Sequence, residues 1–87
     1  MPFAIIPVIY PVLGWVGTIS YLLAYLLLSI RKLQADQPAY HLLNVVGAVG
    51  LTANALYYAD LPNVVVNIFW GIIAITAIIV LTRKKKG

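Results

Sequence analysis

The chain has no cysteine, no glutamate and one histidine, and its only carboxylates are Asp36 and Asp60. Without thiols there is no disulfide framework, no thiol nucleophile and no cysteine metal site. His41, with no second histidine or cysteine to join it, reads as a surface or capping residue rather than a metal ligand. No Ser-His-Asp grouping, phosphate-binding glycine loop or metal-ligand spacing can be assembled. These gaps predict a protein that is not an enzyme and needs no cofactor. Charge is scarce as well: 9% of the 87 residues are charged and 63% are hydrophobic, whereas soluble domains carry about a quarter charged residues. That balance predicts an integral membrane protein.

The few charges are unevenly placed. Arg31 and Lys32 follow a first apolar stretch, and Arg83, Lys84, Lys85 and Lys86 follow a third. Two spans lie between these clusters, so parity puts all six cations on one side, and the positive-inside rule gives an outside N-terminus and a cytoplasmic C-terminus. Four cations beside a membrane hold topology and touch anionic lipid, at roughly 1 kcal/mol each; no nucleic-acid partner is expected. Residues 1–11 lack a basic n-region and are interrupted by Pro2, Pro7 and Pro11, so they read as mature sequence rather than a cleavable signal. The expected location is a bacterial cytoplasmic membrane.

The most informative stretch runs from Leu61 to Leu81 without a charge; its 21 residues cover about 31 Å, the thickness of a bilayer's hydrocarbon core. On a helix, Asn63, Asn67, Trp70, Ala74 and Ala77 fall within roughly 80° of one another. A mid-membrane carboxamide serves no purpose on a plain anchor, so Asn67 requires a partner helix, a ligand, or both. Two further stretches supply neighbours. Because prolines are costly inside helices, span one is predicted over about 11–30, with residues 1–10 at the outer interface and a kinked helix starting near Pro7 as the alternative. Span two is predicted over about 39–58, after a loop at Leu33–Gln37, with Pro38 in its first turn; span three covers about 62–81 with Pro62 in the same role. Residues 82–87 read as a solvated basic tail.

The polar stripes define the candidate site. Span one presents Gly14, Gly17, Thr18, Tyr21 and Tyr25 on one face, and span two presents Asn44, Gly47, Leu51, Asn54 and Tyr58. Spans two and three are antiparallel neighbours, so Asn54 and Tyr58 are expected beside Asn63. The candidate substrate-binding residues are Asn67, Trp70, Asn63, Asn54, Tyr58, Asn44, Tyr21 and Tyr25. Carboxamides, phenols and an indole suit a small polar uncharged molecule; the same groups also suit interhelical hydrogen bonds. Three packed helices leave almost no space on their common axis. A path would therefore require two copies in the same orientation, and Gly17 or Gly47 is expected at the seam between them.

The segments GWVGTISYLLAYLLLSIRK, HLLNVVGAVGLTANALYY and LPNVVVNIFWGIIAI resemble the three-span half-transporters called semi-SWEETs, of the PQ-loop superfamily. The N-x-x-G, turn proline and N-x-x-W also resemble an uncharacterised group of short bacterial membrane proteins. The first resemblance implies an all-α fold of three transmembrane helices, a parallel homodimer and a central sugar site lined by Asn67. Two features depart from it: the proline-glutamine pair is absent from span one, and the tryptophan lies on span three at Trp70 rather than on span two. The function so implied is facilitative transport of a small neutral, sugar-like solute. The alternatives are a non-transporting accessory or assembly subunit and a holin-like pore former.

Overall fold

A computed structural model describes residues 2–86 of the chain, with side chains from 7 to 84. It consists of three helices, α1 (Pro2–Ser29), α2 (Pro38–Tyr57) and α3 (Leu61–Lys86). Each is long and apolar enough to cross a membrane. Pro38 occupies the start of α2, where its missing N–H costs little, after an extended Gln37. Both connections are tight because α1 and α2 end in the same way. Arg31 and Ala59 adopt left-handed backbone, with φ of 63° and 56°. Lys32 N–H then reaches Leu27 O at 2.9 Å and Asp60 N–H reaches Ala55 O, also at 2.9 Å. These are Schellman closures, which satisfy carbonyls that a helix end would otherwise leave bare.

Two bounds differ from the sequence expectation. α1 is helical from Pro2, through both Pro7 and Pro11, instead of starting near Pro11. In hydrocarbon no water satisfies opened amides, so losing the two proline N–H bonds costs less than unwinding a turn. α3 likewise continues past Leu81 to Lys86. No glycine or proline interrupts residues 82–86, lysine and arginine are good helix formers, and cations favour a helix C-terminus.

The packing is small and polar inside, large and apolar outside. Ala24, Ala48, Ala55, Val64 and Ala74 are buried together with Ser20, Asn44 and Asn67, whereas Leu22, Val49, Phe69, Ile72 and many like them are exposed. A water-soluble core would be the opposite; here close approach of small residues and interhelical hydrogen bonds hold the helices. α2 is the central element. It packs on α1 along one side and on α3 along the other, and α1 and α3 make no close backbone approach to each other. The α1–α2 contact runs through glycines: a Cβ on Gly17 would lie 2.7 Å from the Gly47 carbonyl oxygen, and one on Gly50 would lie 2.5 Å from that of Leu13. Gly17 and Gly47 thus join two helices of one chain. The expectation that they lie at a seam between copies is corrected by this contact.

Candidate functional site

Since the backbones of α1 and α3 flank α2 without approaching each other closely, a side crevice opens between them. It encloses about 370 Å³ and is lined by Tyr21 and Tyr25 of α1, Tyr40 and Asn44 of α2, and Val66, Asn67 and Trp70 of α3. That volume is in the range of small-molecule sites. Five of the residues singled out from sequence converge here: Asn67, Trp70, Asn44, Tyr21 and Tyr25.

Hydrogen bonds fix the walls. Tyr21 Oη donates to Asn67 Oδ1 at 2.8 Å, bridging α1 and α3 across the gap. Asn67 Nδ2 donates to the carbonyl of Asn63 at 2.9 Å and to its Oδ1 at 3.0 Å. Asn63 Nδ2 in turn donates to Asp60 Oδ2 at 3.1 Å. The spacing 60, 63, 67 puts Asn63 and Asn67 on one stripe of α3, one turn apart, with Asp60 just ahead of the helix start in line with them. Lower in the crevice Trp70 Nε1 donates to Asn44 Oδ1 at 3.2 Å, and Asn44 Nδ2 to the Tyr40 carbonyl at 3.0 Å. Among the described residues no buried side-chain nitrogen or oxygen lacks a partner.

Three predicted residues lie elsewhere. Asn54 turns away from α3 and donates to the Tyr10 carbonyl of α1 at 2.8 Å; it lines a separate recess of about 270 Å³ with Pro11, Gly14, Trp15, Thr18 and Leu51. Gly14 makes room for it, since a Cβ there would lie 2.7 Å from Asn54 Nδ2. Tyr58 is exposed at the α2–α3 turn, edge-on to Tyr57 with ring centroids 4.9 Å apart. Asn63 is exposed and reaches the crevice only through Asn67. The expected grouping of Asn54, Tyr58 and Asn63 is therefore corrected: the α2 stripe is shared between two neighbours, and Leu51 and Asn54 in its C-terminal half face α1. His41 holds the α1–α2 loop through the Ala35 carbonyl, in line with a capping role, and no cluster able to hold a metal occurs among the described residues.

Tyr40 and Val66 are the lining residues that sequence reasoning missed. Tyr40 precedes Asn44 by one helical turn on the same face, which was the signal available for it. The Asn63–Asp60 link was also missed, although the i, i+3 spacing carried that signal.

No curated protein and no solved structure matches the chain, so the likeness to semi-SWEETs rests on the quoted segments alone. A model of an uncharacterised protein family matches residues 10–86, which takes in all of α2 and α3 and α1 from Tyr10 onward, and the chain therefore belongs to that family.

Proposed function

We propose that the protein is a facilitative carrier of a small polar solute, working as a parallel homodimer in a bacterial cytoplasmic membrane and not as an enzyme. The observation that carries this reading is the convergence of Tyr21, Tyr25, Asn44, Asn67 and Trp70 on one open crevice. A crevice walled on three sides is half a site. A second copy related by a two-fold axis along the membrane normal would close it, and the likeness to semi-SWEETs supports that arrangement. The N-terminus lies outside and the basic C-terminal end lies at the cytoplasmic face, against anionic lipid.

Orientation is tested with an impermeant thiol reagent on intact cells. Phe3→Cys should react and Gly87→Cys should not; labelling at Gly87→Cys overturns both the topology and the charge argument.

Function is tested by uptake into proteoliposomes from a panel of sugars, polyols, amino acids and amines. The carrier reading predicts saturable uptake of at least one solute and retention of a larger trapped dye. Dye leakage would favour a pore. A protein that moves nothing would favour an accessory subunit, a reading supported by a second groove of about 370 Å³ whose walls include Ala48, Ala53 and Gly71, small enough to admit a partner helix.

A further inference from the structure

The crevice residues have most of their hydrogen-bond donors already engaged within the protein. Trp70 has a single N–H, which Asn44 accepts; both N–H groups of Asn67 point at Asn63; the Tyr21 hydroxyl hydrogen points at Asn67. Remaining for a ligand are the Tyr25 and Tyr40 hydroxyls, the second N–H of Asn44, oxygen lone pairs, and the faces of four aromatic rings, those of Tyr21, Tyr25, Tyr40 and Trp70. Tyr25 is 71% exposed and Trp70 50% exposed, and neither is stacked on another described ring. No arginine or lysine lines the space.

The hydrogen-bond chain has a direction. Tyr21 donates to Asn67, Asn67 to Asn63 and Asn63 to the carboxylate of Asp60. Each donor points toward Asp60, so the negative ends of these aligned dipoles face back toward the Tyr21 oxygen in the crevice. Ring faces are the negative side of an aromatic quadrupole. Both features make the space electron-rich. A hexose, with about six oxygens to satisfy, would meet only the Tyr25 and Tyr40 hydroxyls and one Asn44 N–H as free donors and would leave several oxygens unpaired there. An alkylammonium ion needs only ring faces and lone pairs.

We propose that the crevice takes a small organic cation of the alkylammonium class, seated against its four aromatic rings. This rests on the reading of the crevice as a solute site and changes the solute expected from the sequence from neutral to cationic.

The test is equilibrium dialysis of radiolabelled choline against the full chain in a polyoxyethylene detergent, which carries neither sugar nor ammonium groups. Choline should bind, and 3,3-dimethylbutan-1-ol, nearly the same shape without the charge, should displace it at least about tenfold less well. Glucose should not displace it. Trp70→Leu should weaken binding about tenfold or more, and Trp70→Phe should restore much of it, because phenylalanine returns a ring face without the N–H. If Trp70→Leu fails to fold, the exposed Tyr25→Leu should show the same direction of loss. Displacement by dihexanoylphosphatidylcholine at lower concentrations than choline would assign the ammonium group to a lipid headgroup; the reverse order would assign it to a free solute. Equal displacement by the neutral alcohol, or displacement by glucose, overturns the cation and leaves the solute site standing. Absence of choline binding also overturns the cation, and the carrier reading falls with it only if the uptake panel is empty.

Discussion

Gly17→Val should separate α1 from α2 and leave the protein without a stable bundle. A Cβ at this position would meet the Gly47 carbonyl oxygen at 2.7 Å and the Leu51 amide nitrogen at 2.9 Å. Both are backbone atoms of a regular helix and cannot swing aside as a side chain would. Even Gly17→Ala should cost about 1–3 kcal/mol, the usual range for overpacking, and the branched valine more. Gly50 has the same constraint from the Leu13 carbonyl, so Gly50→Ala should behave alike. Gly71 supplies the contrast, because a Cβ there would approach only the Ala48 methyl, at 3.1 Å. Relaxation by a few tenths of an ångström should absorb that, and Gly71→Ala should stay within about 0.5 kcal/mol of the parent. Thermal unfolding in detergent, followed by loss of the monodisperse species, reads all four variants. If Gly17→Ala and Gly50→Ala melt with the parent, the α1–α2 packing described above is wrong. Because these glycines act within one chain, any loss of self-association should accompany loss of the fold instead of preceding it.

Asn67→Ala and Trp70→Ala should reduce solute uptake in proteoliposomes by about tenfold or more, equivalent to roughly 1.4 kcal/mol, while expression and oligomeric state persist. Asn67 makes one bond to α1 and two within α3. Interhelical hydrogen bonds in membranes average about 0.6 kcal/mol, so its loss is tolerable to the bundle but opens the bridge that shapes the crevice. Tyr21→Phe is the more conservative variant. It keeps the ring, whose atoms lie where a Cβ on Gly47 would be, and deletes only the hydroxyl that reaches Asn67. Its uptake should fall in the same direction with almost no change in melting. Asn54→Ala serves as the control: its bond to the Tyr10 carbonyl lies outside this crevice, so it should lose a comparable amount of stability and transport normally. A structural role for Asn67 predicts the opposite pattern, with poorer assembly and unaffected transport by whatever protein folds. Normal assembly and parental uptake of every solute by Asn67→Ala would remove the central residue of the carrier reading.

Three helices were legible in the sequence, though not the full extent of α1 and α3, because uncharged runs of about twenty apolar residues have one stable form in hydrocarbon, the helix with its backbone bonds closed internally. Pro38 and Pro62 were legible as starts because a proline lacks the N–H that a first turn leaves unused. The periodicity of α1 and α3 put Tyr21 and Asn67 on polar stripes, and the structure joins those two side chains. Tertiary structure alone decided which neighbour each stripe meets. Asn54 turned to an α1 carbonyl, Tyr58 stayed at the turn, the glycines closed α1 on α2, and Tyr40 joined the crevice wall. The physical reason is that helical period gives a direction around one axis and no partner along it. In a bilayer, moreover, an apolar face gains little by choosing protein over lipid. Neighbours are then set by how closely two backbones can approach and which hydrogen bonds that approach completes, and both depend on all three helices at once.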